Sequence, residues 1–178
     1  PKIVVMSNSF HGRTLGALTA TGSAEAHNGF EPLLEGFVRV PFNDIKSIKN
    51  KASKYNSIVA ILVESIQGEG GIVIPDENNL IELRKICYDN NWLWMVDEVQ
   101  SGMCRTGKWF AYQHSPIVPD VITIAKALGN GVPIGACLAK GQASEILTPG
   151  THGSTFGGNF LSTSVALKVL DIMRDKYI

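Results

Sequence analysis

Five short apolar runs, at positions 3–6, 58–63, 93–96, 121–125 and 134–139, limit what this chain can fold into more than anything else in it. They do not alternate between polar and apolar residues, so each reads as a strand buried on both faces, as in a parallel sheet. Helical periodicity falls between several of them. Asn43 or Asp44 caps a helix presenting Ile45, Ile48, Ala52 and Tyr55, and Asp76 opens another with Leu80, Leu83 and Cys87 on one side. Leu161, Val165, Val169 and Met173 mark a last helix. Strands alternating with helices predict an α/β domain, its mostly parallel sheet covered by helices on both faces, with ligands bound at the carboxyl ends of the strands. The polar, glycine-rich stretches 8–13, 64–71, 97–107 and 126–131 all follow strands at that edge, so four strand ends converge on one pocket.

Charge and composition exclude several functions. Lys plus Arg and Asp plus Glu number 16 each, which leaves no net field to attract nucleic acid or an anionic membrane. No apolar run approaches the roughly 20 residues needed to span a bilayer. Cys87, Cys104 and Cys137 show neither a disulfide framework nor zinc spacing, and a reducing cytoplasm is the expected home. His27 and His114 lack metal-ligand spacing and are expected at the surface, while Trp92, Trp94 and Trp109 are expected in the core or at a subunit contact. Repeats and linkers are absent, so the 178 residues read as one unit. That unit starts directly on a strand and stops on a helix, as a segment of a longer protein would.

Lys126 stands where the run 121–125 meets the turn Ala127-Leu128-Gly129-Asn130-Gly131. A lysine sheltered at a strand end has its amine pKa lowered, and a neutral amine attacks a carbonyl to form an imine. A lone lysine there would more often be a side chain snorkelling to water. Asp97, closing the run 93–96 and followed by Glu98-Val99-Gln100-Ser101, supplies the anion that a pyridine ring needs beside its nitrogen, although such a residue often only caps a helix. Gln100 is a hydrogen-bond donor for the ring's phenolic oxygen and Val99 a wall for one ring face. Phe10 beside Arg13 offers stacking and a carboxylate grip, with core packing the plainer account of Phe10. Glu69 sits in a glycine-rich loop that matches neither dinucleotide nor P-loop spacing. Ser154 and Thr155 precede the last helix, where a phosphate is favoured and where hydroxyls also serve as caps.

Taken together, Phe10-His11-Gly12-Arg13-Thr14 and the stretches 64–71, 97–107, 126–131 and 152–159 resemble the class III pyridoxal-5'-phosphate (PLP) dependent aminotransferases, from about residue 10 to about residue 169. The resemblance implies the large domain of fold type I PLP enzymes, with an N-terminal segment and a C-terminal small domain outside this chain. It implies that Lys126 holds PLP as a Schiff base and shuttles a proton, with Asp97 at the pyridine nitrogen, Gln100 at the phenolic oxygen, and Phe10, His11 and Val99 also contacting the cofactor. Arg13, Glu64 and Glu69 fall on the substrate side, Glu69 as a gate residue. Ser154 and Thr155 belong to the phosphate contacts, and Thr155 would reach the cofactor of a second subunit in a homodimer with shared sites.

The implied reaction moves the terminal amine of N2-acetylornithine to 2-oxoglutarate. Ornithine, succinylornithine, 4-aminobutyrate or lysine are alternative donors. A non-catalytic module, or a PLP racemase or decarboxylase, are the rival classes. Phe160 replaces the proline usual after Gly157-Gly158-Asn159, and Ala127 a frequent glycine. The family's upstream Gly-Ser or Gly-Thr phosphate turn and its downstream carboxylate-binding arginine are not in this sequence.

Overall fold

The structure, a computed structural model, describes residues 1–177. Its six strands are β1 (Lys2–Met6), β2 (Phe37–Val40), β3 (Ile58–Glu64), β4 (Leu93–Asp97), β5 (Val121–Ile124) and β6 (Ala136–Ala139). They form one sheet in the order β2-β1-β3-β4-β5-β6. The first five are mutually parallel, and β6 returns antiparallel to β5. The expected mostly parallel α/β architecture is therefore what forms. β2 is an addition: Phe37-Val-Arg-Val is four residues long, at the sheet edge, with Arg39 exposed, and so lacks the continuous apolar run of a central strand.

Helices α1 (Leu15–Ala20), α2 (Ala24–His27), α3 (Ile45–Lys54), α4 (Asn79–Asn90) and α5 (Phe160–Tyr177) connect and cover the strands. Asp44 is the N-cap of α3, its carboxylate accepting the Ser47 N–H at 2.8 Å. Asp76 does not cap α4. Asn78 holds the N-cap position, in the left-handed region at φ 67° and without a side-chain cap hydrogen bond, while Asp76 offers its carbonyl to Asn79 N–H. At the other end Asn91, also left-handed, closes the helix onto the Cys87 and Tyr88 carbonyls.

One face of the sheet carries Val4, Met6, Val38, Val40, Ile61, Val63, Trp94, Val96, Ile122 and Ile124. These pack against Ile48 of α3 and Leu80, Leu83 and Ile86 of α4. The opposite face is more open: Val5 and Ala60 are buried, but Leu62, Met95 and Thr123 are half-buried and Val59 is exposed. Burial on both faces thus holds only in part. On α5 the inward residues are Ser162, Ala166, Val169 and Met173, and Leu161 faces outward at 69% exposure, one residue off the expected stripe. Trp92 and Trp94 are core residues. His27 is not a simple surface residue: half-buried, its Nε2 lies 3.0 Å from the Leu18 carbonyl and 2.8 Å from that of Thr21, tying α2 to α1. Burial pushes the Cys87 thiol up to about 12, as suits a packing residue. No helix among the described residues is long and apolar enough to cross a membrane.

Ile61 is fully buried at the centre of this core. Ile61→Ala is expected to cost about 2–5 kcal/mol, read as a lower midpoint in urea unfolding at unchanged slope.

Candidate active site

Register brings the chemistry together. Glu64 is paired with Asp97 across β3 and β4, and Asp97 with Thr123 across β4 and β5, so the carboxyl ends of three adjacent strands lie level. Lys126 follows three residues after Thr123. Strand β1 ends at Met6 on the other side of β3 and delivers the segment 7–13 to the same edge.

Three carboxylates are buried here, each held differently. Asp97, 7% exposed, accepts the Val99 N–H on Oδ1 at 3.0 Å and faces His11 Nδ1 with Oδ2 at 2.8 Å. Because the carboxylate is the acceptor, Nδ1 carries the imidazole proton in that bond. His11 is itself almost wholly buried, and its Nε2 has no hydrogen-bond partner among the described residues. Glu64, 3% exposed, accepts the backbone N–H of Phe10 at 3.2 Å and of Gly68 at 3.3 Å, and so pins both loops to the end of β3. Burial pushes its pKa up, against the pull of those donors and of His11, and the neighbouring Asp97 adds to the rise. Glu98, 1% exposed, accepts from Ser65 Oγ (2.5 Å), Ser101 Oγ (2.7 Å), Ala111 N–H (3.0 Å) and Tyr112 N–H (2.8 Å).

The loop after β3 is closed by a two-way backbone bridge between Gln67 and Val73. At its base a Cβ on Gly68 would come within 2.7 Å of the Gln100 amide, so a side chain there would displace that amide. Gly70 approaches the Asn8 carbonyl closely in the same way. At the tip, Glu69 touches the rest of the site by one long contact, Gln100 Nε2 to Oε1 at 3.4 Å.

Two cavities flank this loop. The larger, about 920 Å³, is walled by Ile66, Val99, Gln100, Lys126 and the turn 130–134, with Arg105 and Thr106 on its rim. The second, about 650 Å³, holds Phe10, Arg13 and Glu69. There the Arg13 guanidinium lies 5.6 Å over the Phe10 ring. The structure therefore gathers Lys126, Val99 and Gln100 in one cavity, seats Phe10, Arg13 and Glu69 in the other, and buries Asp97, His11 and Glu64 at the strand ends between. Ser154 and Thr155 lie in the exposed stretch 151–160 and line neither cavity.

Lys126 corrects one expectation. It is exposed rather than sheltered, because β5 stops at Ile124 and a short 3-10 turn over Lys126–Leu128 carries the residue onto the open rim, with its backbone at φ 40°. Two roles were not legible in sequence. The sequence assigns Glu98 no role of its own, and its donors are brought to it by the fold from Ser65, Ser101 and the returning segment 111–112. His11 is expected only as a cofactor contact, and nothing in the sequence links it to Asp97, 86 positions away.

The donor set fits a flat, electron-poor ring cofactor: a carboxylate fixed on both oxygens, an amide and an aliphatic wall, and an amine one strand away. A parallel α/β sheet presenting these groups at its carboxyl edge defines a PLP-transferase type of domain. The aminotransferase class-III model matches residues 1–178, and the chain belongs to that family. It is 57% identical over 176 residues to the acetylornithine aminotransferase of Nitrosomonas europaea, covering 99% of this chain and 45% of that protein. Its identity to the Myxococcus xanthus acetylornithine aminotransferase is 50% over 173 residues, covering 97% and 43%. A solved ornithine aminotransferase from Toxoplasma gondii, with PLP at partial occupancy in its active site, superposes with a TM-score of 0.92 at 37% identity, covering 98% of this chain and 41% of that one. The chain thus spans less than half the length of these relatives.

Glu98→Ala leaves two buried N–H groups and two hydroxyls without their acceptor. It is expected to lower stability by roughly 3 kcal/mol or more, measurable by denaturant unfolding. For Glu64, the raised pKa means that the folded protein binds the proton more tightly than the unfolded chain. Its contribution is therefore fully present below the ordinary value near 4.5 and is lost as pH rises through the raised one. The stability of wild type relative to Glu64→Gln is expected to fall as pH is raised from about 4.5 toward neutrality. A difference that grew with pH would show that the backbone donors outweigh burial.

Proposed function

We propose that this chain is the cofactor-binding large-domain segment of a longer PLP-dependent aminotransferase. Its reaction passes the terminal amine of N2-acetylornithine to 2-oxoglutarate, giving N-acetylglutamate 5-semialdehyde and glutamate, a step of arginine biosynthesis. The observation that supports this reading is the level pairing of β4 and β5, which ends one strand on the buried Asp97 carboxylate and leads the next, three residues on, to Lys126 in the wall of the larger cavity. The identities to acetylornithine aminotransferases favour the acetylated donor, and the ornithine aminotransferase likeness supports ornithine as the second choice.

PLP, when bound, draws electrons from the substrate carbon into its ring. The protein's own residues do the rest. Asp97 stands as the anion for the ring nitrogen, and the His11 hydrogen bond fixes which way its carboxylate points. Val99 walls the cavity, and Gln100 has an amide to offer the phenolic oxygen. Lys126 anchors the cofactor and, when released, carries the proton between reacting carbons from its place on the rim. Arg13 takes a substrate carboxylate in the neighbouring cavity, with Glu64 and Glu69 beside it. The exposed loop bearing Ser154 and Thr155 is available to a second copy, consistent with a homodimer of shared sites. The partners are then an amino donor and a 2-oxo acid rather than nucleic acid or membrane, and the location is the cytoplasm.

Lys126→Ala in the longer protein is expected to abolish the visible absorbance of lysine-linked PLP and to lower turnover roughly 100- to 10,000-fold. An unchanged spectrum would mean that another lysine does the work. Steady-state rates over the donor panel test the substrate: acetylornithine is expected to give the highest kcat/KM, and a clear preference for 4-aminobutyrate would reject it.

A further inference from the structure

The turn 102–107 enters the site only by the rim positions of Arg105 and Thr106, yet its backbone is unusual. Met103 and Cys104 are consecutive non-glycine residues in the left-handed region, at φ 53° and 64°. There a Cβ crowds the following carbonyl. The turn is nonetheless firmly held. Gly102 N–H donates to the Glu98 carbonyl at 2.9 Å, Cys104 N–H to that of Trp109 at 3.2 Å, and Gly107 N–H to that of Cys104 at 3.2 Å. Met103 is sunk in the core at 4% exposure. Unfavourable backbone maintained by its surroundings concentrates at functional sites. What this turn achieves is to set Arg105 and Thr106 on the rim of the Lys126 cavity.

The electrostatics there are one-sided. Among the described residues the Arg105 guanidinium makes no ion pair, and no carboxylate lines the cavity that it shares with Lys126. His114 Nε2 lies 3.0 Å from the Thr106 carbonyl and 3.1 Å from its hydroxyl oxygen. With His114 as the donor, the Thr106 hydroxyl proton stays free to point at the same anion as the guanidinium.

We propose that Arg105, assisted by Thr106, is an oxyanion-binding residue of the Lys126 cavity, gripping a carboxylate of the 2-oxo acid or the phosphate of the cofactor. Both present two oxygens in one plane to the guanidinium fork. This rests on reading the cavity as the place of transamination.

Arg105→Gln and Arg105→Lys in the longer protein separate the two sources. If the anion is the substrate's, Arg105→Gln raises the KM for 2-oxoglutarate about 10- to 100-fold and weakens competitive inhibition by glutarate to match, with PLP affinity within twofold of wild type. If it is the cofactor's, the PLP dissociation constant rises by that factor, while that of pyridoxal, which lacks the phosphate, stays put. Arg105→Lys keeps the charge without the fork and falls between, and it carries the test should the glutamine variant not fold. Wild-type values for both ligands, or equal weakening of PLP and pyridoxal, overturn the proposal. A wild-type protein that neither binds PLP nor transaminates would instead overturn the reading beneath it.

Discussion

Hydrogen-bonded register across β3, β4 and β5 fixes where every reactive group stands. A shift of one residue along β4 would turn Asp97 to the other face of the sheet and exchange it with Val96 or Glu98. Trp94 and Val96 oppose that slip by occupying the core face, and so do the Asp120 contacts at the far end of the strand. There Asp120 Oδ2 accepts the Trp94 N–H at 2.9 Å and meets Arg84 at 2.6 Å. The core is thus also the ruler of the site: the side chains that exclude water from one face determine that Glu64, Asp97 and Thr123 lie level at the edge.

Buried carboxylates are costly unless their lone pairs are met, and the chain answers this three times with three solutions. Glu98 is satisfied by hydroxyl and backbone donors drawn from three separate segments, and serves as a knot. Glu64 takes two backbone donors and splints two loops. Asp97 has one backbone donor, the fewest of the three, and an imidazole. Burial is the main cause of the raised Glu64 pKa, and the neighbouring Asp97 adds to it.

The central strands were legible because apolar runs bounded by polar, glycine-rich segments have few other uses, and the chemical groups were legible because they sit at the ends of those runs. What escaped was decided at long range or by backbone conformation. β2 is too short and too polar at Arg39 to announce itself. Asp76 lost the cap of α4 to Asn78, whose left-handed geometry no propensity foretells at that spacing. Leu161 looked like an inward residue by periodicity, but Ser162 and Ala166 turned out to face in because small residues fit against the segment at Pro133, whose carbonyl accepts the Ser162 hydroxyl at 3.0 Å. Lys126 was expected to be sheltered, yet one residue of turn after the strand was enough to bring it into the open. Arg105 lies within the stretch 97–107 that carries the family resemblance, but no role of its own is legible there, because nothing in a linear reading suggests that Met103 and Cys104 adopt a glycine-like conformation.

The loop between Gln67 and Val73 is a short arm on a stiff shoulder. Its base is clamped by a pair of amide-carbonyl bonds between Gln67 and Val73, while its charged fingertip, Glu69, rests on a stretched hydrogen bond from Gln100. Lifting that fingertip would break this one hydrogen bond and none of those that hold the sheet. In the gate role that the family resemblance implies, an acid mounted in this way would change partners while the scaffold beneath it kept its shape.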